Sequence, residues 1–516
     1  MLWSILKRMT RKSARTPDPG VDEAALQSGI ACLNAGDFAA ACRHLRAALA
    51  ASPDDPDAMY YLALSEARSD HPERAQELLE AVLKTRDDAD VHNALGNVHR
   101  MGERLAEAVA CYRRALEANA DHIAALTNLG LCLRDQGVPA EALPVLDRAL
   151  ALAPDYVEAL FNKALALTDL GASDPASALI ERALALEPDF AQAHLQRGFL
   201  LLRRGDFAAG WHEYAWRVRI PELDRWRDFP YPLWQGESLA GKRVLVQAEQ
   251  GLGDQIMFGS CLPDVVSRAQ DTVIECDPRL AALFARSFPA AKIYGYRVKG
   301  EPAWSHEPSP DFRVRYGDLP RLLRNRDEDF PRHSGYLVPD TARVAAWRAR
   351  LAALGPGLKV GVSWRGGTPG TGQAARSMPL VKLLPLLTLP NAHFVSLQYG
   401  PSSDEIADLH ARYGLTLHEW LPPLADMDEA AALVAGLDIV VTVCTAIVHL
   451  AGALGKTAWV MVPAVAEWRY LESGAHIPWY PALRLFRQQK LTEWDEVIAT
   501  IGAELQHRVA GVGSLV

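Results

Sequence analysis

The sequence predicts an α-helical solenoid followed by a pair of α/β lobes. Two observations carry this prediction. Small residues recur every 34 positions through the N-terminal part of the chain, and beyond them short apolar runs alternate with helical stretches. The length, 516 residues with 49% hydrophobic residues, suits a folded chain of about three domains at roughly 150 residues each.

The repeat comes first. Ala47, Ala81, Ala115, Ala149 and Ala183 are 34 residues apart, and Leu116, Leu150 and Leu184 follow the last three. Gly96, Gly130, Ala164 and Gly198 keep the same spacing, as do Pro154-Asp155 and Pro188-Asp189. Small residues at fixed positions let the two helices of a hairpin approach closely, and a proline at each boundary opens the next pair. A 34-residue helix-turn-helix unit of this kind is the tetratricopeptide signature. About five units fit between residues 21 and 204, and a helix with Trp211, Tyr214 and Trp216 is placed to cap them, so the repeat domain is set at residues 21–217. One unit cannot bury its apolar face alone, so the units stack into a superhelix with a concave groove suited to a protein partner. Asn128, Asn162 and Gln196 are one period apart. They are either groove amides able to hold an extended peptide or ordinary polar positions of a repeat; Ala94 and Tyr60 break the series earlier in the chain.

Residues 218–239, with Pro221, Pro230, Pro232 and Gly236, read as a packed linker. Strands are expected at Arg243–Gln247, Val273–Cys276, Lys359–Trp364, Phe394–Gln398, Ile439–Val443 and Ala458–Val462. Buried strands separated by helices imply parallel sheets. The region is too long for one small sheet, and Gly335-Tyr336-Leu337-Val338-Pro339 divides it into lobes at residues 240–338 and 339–516, with a cleft between them.

Three motifs carry chemistry. Strand 243–247 runs into the glycine turn Gly251-Leu252-Gly253-Asp254 and then a helix. Isoleucine at position 256 excludes the dinucleotide fingerprint, which needs glycine there. Asp254 is either a helix cap or a carboxylate at the carboxyl end of a sheet, where open α/β sheets place their ligands. Strand 359–364 delivers Ser363 and Arg365 to a sheet edge, followed by the glycine-rich loop Gly366–Gly372 and Arg376. The two arginines are candidate phosphate partners through their bidentate forks, or else solvated surface residues. Strand 439–443 ends at Cys444, and a helix opens across Thr445, Ala446 and His449, whose first-turn N–H groups suit a phosphate. His449 is either a partner of that anion or a packing residue.

Composition narrows the function classes. The net charge is 54 − 63 = −9, which disfavours nucleic acid as a partner. Seven scattered cysteines with no CxxC pair argue against a disulfide framework or zinc ribbon. The longest uncharged stretch, residues 439–455, is too short for a membrane span and contains His449. Residues 1–20 read as a disordered basic leader, the one part suited to touch the inner membrane surface, and a cytoplasmic location is expected. The acidic triplets at Asp327–Asp329 and Asp426–Asp428 do not follow strands, so no metal is expected.

Gly251-Leu-Gly-Asp254, Arg376-Ser-Met-Pro379, Gln398-Tyr-Gly400 and Thr445-Ala-Ile-Val-His449-Leu-Ala-Gly-Ala-Leu-Gly455 together resemble the ADP-heptose heptosyltransferases, and the closer likeness is to bacterial proteins that fuse tetratricopeptide repeats to such a domain. The resemblance implies the GT-B architecture of two Rossmann-like lobes, with a nucleotide-sugar donor on the second lobe and no cofactor or metal. It implies that Asp254 is the general base toward the acceptor hydroxyl and that Arg376 faces the donor phosphates. Thr445, Ala446 and His449 match the phosphate-binding turn, and Gly400 and Glu405 fall where the ribose is held. The family carries Asp before the matching threonine; this chain has Cys444, and its first lobe is short. The implied activity is inverting sugar transfer to a protein or glycan acceptor recruited by the repeats. An interaction scaffold with a degenerate transferase domain is the alternative, and a sugar-nucleotide epimerase with the same two lobes is a third reading that leaves the repeats unexplained.

Overall fold

The computed structural model describes residues 22–223, 227–296, 300–367, 373–420 and 426–513. The expected leader lies outside them, as does most of the glycine-rich loop after residue 367. The chain divides into two compact units at Ala193–His194.

The first unit is a stack of helical hairpins: α1 (Glu23–Ala35) with α2 (Phe38–Ala51), α3 (Pro56–Arg68) with α4 (Pro72–Leu83), α5 (Ala89–Met101) with α6 (Leu105–Ala118), α7 (Ile123–Asp135) with α8 (Pro139–Leu152), and α9 (Val157–Asp169) with α10 (Ser173–Leu186). Asp22, Asp37, Asp55 and Asp88 each accept a backbone N–H at 2.9–3.1 Å and start their helices. Pro56, Pro72 and Pro139 occupy first turns, where the missing N–H costs nothing. Close approach inside two of the hairpins is direct: a Cβ on Gly130 would lie 2.5 Å from Leu146 Cγ, and one on Gly96 2.5 Å from Tyr112 Cε1.

The period is not 34 throughout. The second helices begin at residues 38, 72, 105, 139 and 173, spacings of 34, 33, 34 and 34. Their eleventh residues, Ala48, Val82, Ala115, Ala149 and Ala183, are all fully buried. Ala47 is exposed and Ala81 half-buried. The alanine series expected from the sequence therefore marks one packing position in its last three members and misses it by one residue in the first two.

The second unit holds two parallel sheets. β1 (Arg243–Gln247), β2 (Asp271–Cys276), β3 (Lys292–Gly295) and β4 (Phe312–Arg315) are ordered β3-β2-β1-β4. β5 (Leu358–Ser363), β6 (Ala392–Ser396), β7 (Leu417–His418), β8 (Ile439–Val443), β9 (Ala458–Val462) and β10 (Leu483–Arg487) are ordered β10-β9-β8-β5-β6-β7. Every expected strand is present within two residues; β3, β4, β7 and β10 are additional. The linker lies along edge strand β4, where Trp234 N donates to Arg313 O at 2.9 Å and Arg313 N to Pro232 O at 2.8 Å. This pairing occupies edge groups that would otherwise be open.

α11 (Ala191–Arg204) and α12 (Phe207–Tyr214) keep the repeat phase, yet α12 packs within the second unit. The Trp211 ring lies 6.4 Å from Phe258 of the first lobe and 5.5 and 6.1 Å from Trp468 and Trp479 of the second, and its indole N–H donates to Arg324 O at 2.8 Å. Just beyond, buried Arg217 bonds both Glu249 and Asp318 at 2.8 Å, anchoring this segment to the first sheet. α12, placed by its spacing at the end of the solenoid, thus packs against both lobes.

Candidate functional site

Each sheet has one place where the strand order reverses, between β1 and β4 in the first lobe and between β5 and β8 in the second. Loops diverge there at the carboxyl ends of the strands and leave a crevice. The segments singled out in the sequence leave from these places. α13 (Leu252–Phe258) follows β1, the turn carrying Trp364 to Gly366 follows β5, and the eight-residue helix Ala446–Ala453 follows β8. The two lobes touch through these helix starts: a Cβ on Gly253 would lie 3.2 Å from His449 Cδ2 and 3.6 Å from Ala446 Cα. Glycine at 253 is what permits this approach.

Asp254 is not a helix cap. Gly251 holds that position without a side-chain bond, and Asp254 is the third residue of the first turn. Its Oδ1 accepts from Arg469, at 3.1 Å from Nε and in a shorter contact with Nη2. Arg469 Nη1 lies 3.2 Å from Glu467 Oε2, and Glu467 Oε1 lies 2.6 Å from Arg376 Nη1. Burial works against the Arg469 charge; Asp254 and Glu467 outweigh it and hold the guanidinium protonated. Arg376, 12% exposed at its side chain, is an enclosed ion-pair partner and not a solvated arginine.

Ser363 is buried and its hydroxyl lies 2.5 Å from that of Thr442 on the neighbouring strand. It ties β5 to β8 and presents no free hydroxyl toward the crevice. Arg365 is bonded to Glu405, which also accepts from the Trp364 indole at 2.7 Å. Gln398 Oε1 accepts the backbone N–H groups of Trp364 and Arg365, both at 2.9 Å, and its Nε2 donates to Tyr399 O at 2.8 Å. Gln398 and Glu405 therefore shape the turn after β5. Gly400 adopts φ +82°, with no atom near where a Cβ would stand.

Thr445 caps the helix Ala446–Ala453, its hydroxyl accepting from Ile447 N at 3.1 Å. His449, one turn in, is 5% exposed, with Nδ1 3.2 Å from the Tyr480 hydroxyl. Burial, then Arg469, pushes its pKa down to about 3, with Asp254 opposing and Arg376 adding to the fall. The imidazole is therefore neutral at physiological pH and meets an anion as a hydrogen-bonding group, not as a cation. Cys444 is buried, its thiol pointing to Met461 O at 3.7 Å, and burial followed by Glu467 raises it to about 12. Cys444 therefore brings no charge to this position at physiological pH.

The solenoid amides do not stand open in a groove. Asn128 is fully buried and donates to Asn93 Oδ1 at 2.9 Å; Asn162, 2% exposed, donates to the Thr127 carbonyl at 3.4 Å. They bond first helices of successive hairpins to each other. Gln196, half-buried on α11, falls in the second unit. The acidic triplets are structural as well. Asp426 caps the helix Met427–Gly436, Asp428 bonds Arg286, and Asp329 accepts from Arg326 N at 2.9 Å.

Sequence reasoning missed Arg469, Glu467 and Tyr480. The available signal was Glu467-Trp468-Arg469 shortly after a buried strand at the carboxyl end of a sheet, the place ligands favour.

Fold and site define a class: a tetratricopeptide solenoid joined to a pair of parallel α/β sheets. Residues 33–98 and 133–198, and separately 103–157, match tetratricopeptide repeat families. Over 497 residues the chain is 33% identical to protein FlbA of Caulobacter vibrioides, covering 92% of this chain and 83% of FlbA, and it belongs to that protein's family. Among solved structures, the thermophilic protein TTC0263 of Thermus thermophilus aligns at 23% identity over 35% of this chain and 98% of its own, with a TM-score of 0.32. Pseudomonas aeruginosa PilF aligns at 22% identity over 39% and 91%, with a TM-score of 0.33. Tetratricopeptide repeats are protein-interaction modules, so protein partners follow from the first unit. Among the described residues no helix is long and apolar enough to cross a membrane.

Proposed function

We propose that this protein is a GT-B glycosyltransferase of heptosyltransferase-like type, moving a sugar from a nucleotide-sugar to a protein or glycan acceptor that the repeats recruit. The observation that carries the reading is the meeting of the two crevices: Asp254 on one lobe and the Thr445–His449 turn on the other come together through Gly253. Sugar transfer needs a base for the acceptor hydroxyl and compensation for a departing diphosphate. Asp254 is the base in this reading; Arg376, Thr445 and the first turn of the helix Ala446–Ala453 take the diphosphate. Among the described residues the other carboxylate of the cluster, Glu467, is engaged by Arg376 and Arg469, so a single displacement with inversion is the expected course. No metal enters this reading, because arginines and a helix terminus supply the charge.

The test is thermal unfolding of the full chain with ADP-, GDP-, UDP- and dTDP-sugars, followed by sugar transfer from whichever binds. A donor at a hundred times its dissociation constant adds about 2.7 kcal/mol. Arg376→Ala weakens that shift. Asp254→Asn keeps it and loses transfer by about a hundredfold or more. Failure of every nucleotide-sugar to stabilise folded protein removes this reading in favour of an interaction scaffold, which the engagement of Asp254 by Arg469 favours.

A further inference from the structure

Four charged side chains alternate in sign across the facing strand ends: Asp254, Arg469, Glu467 and Arg376. They come from three segments that are distant in sequence, the helix after β1, the loop after β9 and the connection between β5 and β6. Glu467 gives one carboxylate oxygen to each arginine, at 2.6 Å to Arg376 and 3.2 Å to Arg469. The arginine side chains are 12% and 17% exposed, whereas Glu467 is 32% exposed and is the most open of the three.

Enclosed guanidinium groups need an anion beside them, because an unpaired charge out of water is costly. Their forks accept carboxylate and phosphate oxygens alike. A carboxylate that bridges two arginines, with Glu467 and Arg376 near enough to act on Cys444 and both arginines near enough to act on His449, therefore occupies the kind of place a phosphate group would take. The four charges cancel, so an incoming diphosphate meets a neutral cluster until Glu467 leaves the arginines.

We propose that Glu467 is an internal anion standing where the donor's diphosphate binds, and that Arg469 joins Arg376 in holding that diphosphate; the proposal rests on the glycosyltransferase reading above. On donor entry, phosphate oxygens replace the Glu467 carboxylate between the two guanidinium groups, and Glu467 turns to water from its more open position. Arg469 is then shared between the diphosphate and Asp254, which links filling of the donor site to the group that faces the acceptor.

Titration calorimetry of the full chain with ADP, GDP, UDP, dTDP and inorganic pyrophosphate tests this. Glu467→Gln keeps the side-chain volume and is expected to bind a nucleoside diphosphate about tenfold tighter than the wild type, and to tighten pyrophosphate similarly. Arg469→Gln is expected to bind about tenfold more weakly. Because Arg469→Gln strands Asp254 and can fail to fold, Glu467→Gln carries the test and Arg469→Lys is the milder second variant. A dissociation constant unchanged or raised in Glu467→Gln overturns the proposal and leaves the donor site in place. Absence of binding in both wild type and Glu467→Gln overturns the proposal and the transferase reading together. Binding by Glu467→Gln alone supports the proposal.

Discussion

At the scale of a residue, His449 shows how a buried base changes the pH response of the fold. Burial, then Arg469, holds its folded pKa at about 3, with Arg376 contributing and Asp254 opposing, whereas an unfolded imidazole titrates near 6.5. Above pH 6.5 neither state carries the proton, so the group is indifferent to folding. Below it the unfolded chain binds a proton that the folded chain refuses, and stability falls with falling pH down to about 3. The slope is about 1.4 kcal/mol per pH unit for one such group. His449→Gln removes this loss. The variant is expected to be less stable than wild type at pH 7.5, through loss of the Tyr480 contact, and its deficit is expected to shrink by about 1–2 kcal/mol between pH 7 and pH 5. Urea unfolding of both proteins across that range measures it; parallel pH curves would show that the folded imidazole takes up its proton over the same pH range as the unfolded one.

At the scale of an element, one residue of phase decides which alanine is core. Ala47 belongs to the 34-residue series legible in the sequence but is exposed, while Ala48 is fully buried on the same helix. Ala47→Leu is expected to change stability by less than about 0.5 kcal/mol. Ala48→Leu, forced into close packing, is expected to cost about 1–3 kcal/mol. Helical circular dichroism during thermal unfolding separates them, and equal effects would restore the uniform period. The same comparison explains what the sequence revealed and what it hid. β1, β2, β5, β6, β8 and β9 were legible from the apolar centres they bury, and all are interior strands, paired on both sides. The four strands it hid, β3, β4, β7 and β10, are the edges of the two sheets. There Lys292, His418 and Arg484 lie on strands with one open side, and Arg313 lies on β4, whose edge the linker covers. The site divided likewise. Gly253, Asp254, Thr445 and His449 could be found because a strand, a turn and a helix start surround them in sequence. Arg469 could not, because its partner Asp254 is 215 residues away and only the folded sheets bring them together.

At the scale of the whole molecule, two compact units with separate cores place the two halves of the proposed function in different parts of the chain. Solenoid stability is close to a sum over hairpins and their interfaces, so each hairpin's exchange is set by its neighbours. In the second unit, residues from both lobes share one ion chain, from Asp254 through Arg469 and Glu467 to Arg376, and a second inter-lobe ion pair joins Arg286 to Asp428. A ligand stabilises only the openings that break its own contacts. A nucleoside diphosphate held as proposed is therefore expected to slow amide hydrogen exchange at residues 252–258 of the first lobe and at 444–450 and 467–470 of the second. Residues 23–186, with every one of their helices packed inside the first unit, are expected to exchange at unchanged rates. Exchange mass spectrometry with and without saturating nucleotide reads both halves in one experiment. Protection limited to the second lobe would mean that Asp254 does not share the donor's arginine. Protection spreading into the solenoid would mean that nucleotide binding in the second unit is coupled to the repeats, against the separate roles proposed for the two units.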